Sequence, residues 1–227
     1  MRPTRRRGLL WALVALVAGS CSLLPQAKGP GALYLLSPSP PGGPGAAPVR
    51  AAATADPAPT LLVGLPQARA GLDTPRMIYV TRPYALSYYA SSQWVDTPAH
   101  MLAPALTQAL AGTGAFRAVV QLPSAAAGDL RLEIEALAVV QEFLARPSRV
   151  RLSFRAVLVD LRERTVLATR FFDAAEPAPT DNAYGGVVAA NRAAARLLAE
   201  LNEWVVTRAA RPAAAPGLVG SRPPLRR

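Results

Sequence analysis

A chain of 227 residues with 51% hydrophobic residues carries enough apolar material for one domain-sized core. Its formal charge is +11, yet Lys28 is its only lysine and no basic stripe alternates with aromatics. That argues against nucleic acid as a partner and leaves an anionic membrane surface nearer to hand. One histidine and one cysteine cannot supply the convergent ligands of a metal centre, and no cofactor motif is present.

The chain opens with a leader. Residues 1–8 are cationic, Leu9–Ala18 is an unbroken apolar run, and Gly19-Ser20-Cys21 follows. These are the three regions of a secretory signal peptide. The run is too short to cross a bilayer, which takes about 20 apolar residues. Val17-Ala18-Gly19-Ser20-Cys21 resembles the bacterial lipobox, with Ala18 in place of the more usual leucine. The expectation is cleavage before Cys21 and attachment of acyl chains such as palmitate at Cys21. Two or three such chains anchor stably where one binds only marginally. A lone free thiol would otherwise be a liability in an oxidising compartment. Loss of Arg2, Arg5, Arg6 and Arg7 with the leader leaves +7 on the mature chain. Arg5-Arg6 also resembles a twin-arginine signal, but any cationic leader makes such a pair, so the general secretory route ranks first. Ser22, where an Asp would signal inner-membrane retention, favours the outer membrane facing the periplasm.

Ala32–Leu36 reads as a short strand. Ser37–Thr60 is too rich in Pro and Gly for regular structure and reads as a loop inside the domain or as a spacer from the membrane. Leu61–Leu65 is a second short apolar run, and Leu72-Asp73-Thr74-Pro75 is turn chemistry. Arg76–Thr81 and Ala85–Tyr89 form a hairpin pair of strands across Arg82-Pro83. Thr97 is an N-cap, Pro98 suits the first helical position, and Met101, Leu102, Ala105, Leu106, Ala109 and Leu110 mark an apolar helical face. Pro104 should kink that helix, and Gly112 and Gly114 stop it. Phe116–Val120 returns as a strand.

Two long strands follow with clean alternation. Leu130, Leu132, Ile134 and Ala136 face inward in one; Val150, Leu152, Phe154, Ala156 and Leu158 do so in the other. Glu133 and Glu135 on the wet face of the first should meet Arg151 and Arg155 on the second as antiparallel neighbours. Asp160–Arg164 turns the chain, and Thr165–Asp173 closes a meander through Val166, Leu167, Phe171 and Phe172. Glu176–Asp181 is a connection, and Val187–Val205 is a second amphipathic helix.

This order predicts an α+β fold, an antiparallel or mixed sheet packed against two amphipathic helices in two layers. The domain plan is a signal peptide at 1–20, lipid anchor and short linker at 21–31, a folded domain at 32–208 with the loop 37–60 inside it, and a disordered basic tail at 209–227.

Candidate chemistry is sparse, and no enzyme is expected. His100 has Asp96 as its neighbouring carboxylate, which suits a helix start better than a triad, and no serine has the turn context of a nucleophile. Glu133 and Glu135 opposite arginines read as a solvated face. Gly185-Gly186 could offer N–H groups to an anion, or could simply be a turn before the helix. Five aromatics fall within Tyr79–Trp94. They read either as core packing where the hairpin meets the first helix, or as a partner- or lipid-contacting surface with Tyr88, Tyr89 and Trp94 as candidates.

Several of these segments together resemble the ABC-type transport auxiliary lipoprotein family, the paraquat-inducible C-type outer-membrane lipoproteins. They are Tyr34-Leu35-Leu36, Leu72-Asp73-Thr74-Pro75-Arg76-Met77, Tyr88-Tyr89-Ala90-Ser91-Ser92-Gln93-Trp94 with Pro98, Asp129–Glu133, and the closing helix with Trp204. The long Ser37–Thr60 insertion and Pro104 depart from the pattern outside those motifs. The resemblance implies a non-catalytic periplasmic domain tethered to the outer membrane. It would work with an ABC permease system and an MCE-domain protein in lipid transport between membranes, and is compatible with a ring-shaped homo-oligomer. A structural or assembly lipoprotein of another envelope machine, of the secretin or pilus pilot type, is the alternative.

Overall fold

The computed structural model describes residues 31–38 and 58–210; the expected leader, Cys21, most of the Pro/Gly-rich segment and the basic tail lie outside the described residues. Its elements are β1 (Ala32–Tyr34), β2 (Thr60–Val63), β3 (Arg76–Arg82), β4 (Ala85–Trp94), α1 (Pro98–Gly112), β5 (Ala118–Gln121), β6 (Leu130–Glu142), β7 (Arg149–Asp160), β8 (Thr165–Pro177) and α2 (Ala183–Ala209).

Alternation makes β6 the centre of one mixed sheet. One edge of β6 pairs antiparallel with β7, which pairs antiparallel with β8. Its other edge is shared. Leu130–Leu132 pair parallel with β2, whose far side carries β5, while Gln141 and Glu142 pair parallel with β3. The chain between β2 and β3 fills the gap, with the Gly64, Gln67 and Arg69 N–H groups donating to the carbonyls of Leu132, Ile134 and Leu137. β3 continues through its hairpin partner β4 to β1, which runs parallel to β4. The expected α+β class holds with a mixed sheet, which curls into a half-barrel against two helices.

The expected alternation along β6 breaks at Ala136. This residue adopts φ 53, and a bulge lies between Glu135 and Ala138. An extra residue reverses the faces. Leu130, Leu132 and Ile134 are buried before it and Leu137, Val139 and Gln141 after it, so Ala136 is not a core position. The inward residues of β7 are as expected: Val150, Leu152, Phe154, Ala156 and Leu158 are all buried. β8 is longer than expected and absorbs Glu176 and Pro177. On it Phe172 faces the core, whereas Val166 and Phe171 are exposed.

Thr97 caps α1, its side chain accepting the His100 N–H, with Pro98 in the first turn. The helix continues through Pro104, whose ring faces solvent, and Leu102, Leu106 and Leu110 are buried on the opposite side. α2 begins at Ala183, four residues before the expected start, with the Asn182 side chain accepting the Gly185 N–H. Its buried stripe is rich in alanine (Ala189, Ala190, Ala193, Ala194), which brings helix and sheet close together, and ends in Leu197, Leu201 and Trp204. Phe172 stacks on Phe154 and meets Trp204 edge-on.

Gly185 and Gly186 therefore lie inside the first turn of α2 rather than before it. A Cβ on Gly186 would fall 2.1 Å from Oε1 of Gln141, and one on Gly185 would fall 2.0 Å from the Thr180 carbonyl oxygen. Gly112, at the end of α1, has nothing within 4 Å of such a Cβ. Gly186→Ala should therefore cost about 1–3 kcal/mol through overpacking. Gly112→Ala should be neutral or gain up to about 1 kcal/mol. Urea unfolding midpoints of the two variants check the contrast.

Candidate functional site

β3 and β4 carry the aromatic segment, and strand alternation divides it between two faces. Trp94 points into the main core and is 3% exposed. Tyr89 packs against the same core, its ring 4.9 Å from that of Tyr79, which meets Phe143 edge-on. Tyr88 lies on the opposite face, in a small cluster with Leu72, Ile78, Ala138 and Val140. The Arg76 guanidinium sits 3.7 Å above its ring centre, a cation–π contact. The structure does not bring Tyr88, Tyr89 and Trp94 to one surface.

Tyr89 instead leads into a buried polar chain that the sequence does not announce. Its hydroxyl donates to Oε1 of Gln141 at 3.0 Å, and Nε2 of Gln141 donates to Oγ of Ser148 at 3.0 Å and to the Asn182 carbonyl at 3.3 Å. The Ser148 N–H donates to Asp181 at 2.7 Å. Gln141 and Ser148 are buried. Burial pushes the Tyr89 hydroxyl up to about 12, with the charges of Tyr79 and Asp181 adding to it. The Ser148 N–H holds the Asp181 carboxyl below its usual range. The chain ties the end of β6, the start of β7, β4 and the first turn of α2 together. The Ser148 side chain also hydrogen-bonds the Asp181 carboxylate, so the chain runs unbroken from the Tyr89 hydroxyl to Asp181. Close approach at Gly186 was the one sequence signal that could have pointed to Gln141.

The remaining sequence candidates sit apart. His100 is exposed, with Nδ1 3.3 Å from the Asp96 carboxylate, which also accepts the Thr97 N–H at 2.6 Å. Glu135 stands directly opposite Arg155 and accepts from its Nε at 3.0 Å, as expected. Glu133 does not meet Arg151; it pairs with Arg131 at 3.0 Å on its own strand. Arg151 bridges Glu142 and Asp173. Burial would raise the Glu142 carboxyl, but the Arg149 and Arg151 guanidiniums outweigh it and hold the group below its usual range. The N–H groups at Gly185 and Gly186 are taken by Asn182, leaving neither for an anion. Among the described residues no three His, Cys, Asp or Glu side chains converge as metal ligands, and no helix is long and apolar enough to cross a membrane. A crevice between Met77, Trp94, Val150 and Ala190 has room for about one water molecule, too little for a lipid. Cys21 lies outside the described residues.

A family model described as the ABC-type transport auxiliary lipoprotein component matches residues 43–202. No curated protein matches the sequence. Among solved structures, the chain is similar to a DUF330 protein from Xanthomonas campestris, at 21% identity and a TM-score of 0.65, over 78% of this chain and 95% of that one. It is also similar to a crystal structure of an uncharacterised protein, at 14% identity and a TM-score of 0.57, over 77% of this chain and 98% of that one. Both likenesses are of fold.

The polar chain sets a stability test. Tyr89→Phe leaves Oε1 of Gln141 without that donor in a buried site and should cost about 1–2 kcal/mol near neutral pH. The folded-state pKa is raised from 10.0 to about 12, so the folded protein keeps a proton that the unfolded chain loses first. The contribution of Tyr89 is thus complete below pH 10 and is lost as the pH rises to about 12. The stability gap between wild type and Tyr89→Phe should narrow over that window in denaturant titrations.

Proposed function

The chain belongs to the ABC-type transport auxiliary lipoprotein family, and from that premise we propose that it is a non-catalytic, lipid-anchored docking component of an intermembrane lipid-transport system. Cys21 carries the acyl chains, and the folded domain stands on the periplasmic face of the outer membrane. There it meets an MCE-domain protein that works with an ABC permease. The observation that carries this reading is the family match across residues 43–202. The leader ending at Cys21 supports the anchor.

A docking role suits what the described side chains do. The serine and glutamine of the buried chain hold elements together, His100 faces the carboxylate at its own helix start, and the acids of the open sheet face are engaged by arginines. Of the three aromatic candidates, Trp94 and Tyr89 are turned inward. Tyr88, half-buried beneath Arg76 on the opposite face, is the candidate that the proposed partner contact would use.

Two measurements test the proposal. Metabolic labelling with radioactive palmitate should mark the wild-type chain, and Cys21→Ala should lose the label and leave the membrane fraction. Affinity purification of the lipidated chain from detergent-solubilised envelopes should recover an MCE-domain protein. A labelled chain that consistently recovers none sinks the transport assignment and spares the anchor.

A further inference from the structure

We propose that one end of the domain, formed by the β3–β4 hairpin and the β6–β7 loop, docks on the anionic lipid surface to which the chain is tethered. This rests on the anchored reading above. The two loops are neighbours because Tyr79 and Val80 pair with Gln141 and Glu142, and the Phe143 N–H donates to the Val80 carbonyl. Together they present Tyr84, Leu86 and Leu144, at 107%, 50% and 49% exposure. Arg82 and Arg146, both exposed, flank them, and among the described residues neither joins an ion pair. The acids nearby are engaged: Glu142 by Arg149 and Arg151, Asp181 chiefly by the Ser148 N–H and side chain, with a smaller contribution from the Arg146 charge. Amphipathic rings and aliphatic side chains beside cations are the composition that settles at a headgroup layer.

Tyr84 adds a second observation. It adopts φ 65, a left-handed conformation that glycine or asparagine would take with less strain. A bulky aromatic is nonetheless held there with its whole side chain in solvent, where it packs on nothing within the domain.

The tether commits this end to a membrane rather than to another occupant. β1 runs parallel to β4 with Ala32 beside Ser92, so the start of β1 is the end that faces back toward the hairpin. The seven strand positions from Ser92 back to Ala85 span about 23 Å. The 10 residues Ser22–Gly31 separate the expected lipid-bearing Cys21 from β1. Ten residues span at most about 36 Å when fully extended. The hairpin end is therefore within reach of the bilayer, and the short tether keeps its local concentration at the surface high.

The test uses the lipidated full-length protein in vesicles of phosphatidylethanolamine and phosphatidylglycerol. With Cys21 blocked as a thioether, Pro83→Cys supplies one reactive thiol at the hairpin, and Glu163→Cys supplies one on the β7–β8 turn at the far end of β7. Each is labelled with an environment-sensitive fluorophore and exposed to lipids carrying a quencher. The expected result is blue-shifted, strongly quenched emission at position 83 and little quenching at 163. Tyr84→Ser with Leu144→Ser should abolish the difference. Replacing phosphatidylglycerol by phosphatidylcholine should weaken docking, and Arg82→Gln and Arg146→Gln should each reduce it by about fivefold. Equal quenching at 83 and 163 in a chain whose mass shows its acyl groups overturns this inference alone. A mature chain without acyl groups overturns the anchored reading and this inference with it. A label at 83 that lipid never quenches, but that an added MCE-domain protein buries, overturns it in favour of a protein partner.

Discussion

Strand β6 has to satisfy backbone groups along both edges and bury side chains on one face, and the bulge at Ala136 reconciles these demands. Before the bulge its free edge takes β2; after it the same edge takes β3. A single register could not keep Leu132 and Val139 on the same side of the sheet, because their separation is odd and side chains alternate with period two. The extra residue supplies the missing step. Left-handed backbone at an alanine costs about 1–2 kcal/mol. Full burial of Leu137 and near-full burial of Val139 beneath the helices offset it, since each large aliphatic contributes about 1.5–3 kcal/mol. Everything downstream in the fold, from the β3–β4 hairpin to the seat of α2 over Gln141, depends on that phase change.

The fold was legible where one physical signal acted alone. Both long antiparallel strands, the Thr97–Pro98 helix start and the inward face of β7 follow from periodicity and capping within the sequence. What was not legible depended on distant partners. The parallel pairing of β2 with β6 joins residues about seventy positions apart, and nothing in Leu61–Val63 encodes which strand it will meet. The Ala136 bulge sits in an apparently regular Leu-x-Leu-x-Ile-x-Ala pattern, and its cause lies in the edge partners rather than in the residue. Charge pairing was half legible for the same reason. Glu135 meets Arg155 because the register sets them directly opposite, whereas Glu133 stands opposite Val157, and Arg151, opposite Val140, lies within diagonal reach of Glu142.

The candidate site was less legible than the fold. Clustering along the chain grouped Tyr88, Tyr89 and Trp94, but adjacent strand residues face opposite ways, and the sheet sent Tyr88 to one side and Tyr89 to the other. Composition cannot see the Tyr89–Gln141–Ser148 chain, because glutamine and serine are ordinary surface residues until burial makes their hydrogen bonds obligatory. The basic composition is similarly redistributed by the fold. Arg149, Arg151 and Arg155 are bound to carboxylates on the open sheet face, so the formal charge does not become a continuous basic stripe.

The interior argues for work done at the surface. Alanines on α2 and glycine at 186 let the helix backbone approach the sheet closely, and Leu132, Leu152, Phe154 and Phe172 fill what remains. Such a core is closely packed and resists opening a lumen, since an opened gap leaves the atoms lining it without partners. The polar chain through Gln141 stiffens the same junction, because parting α2 from β6 would strand buried donors and acceptors. A molecule the size of a lipid would have to displace that packing to enter. That packing supports the proposed docking role, in which the domain presents its loops and edges to partners rather than enclosing a lipid.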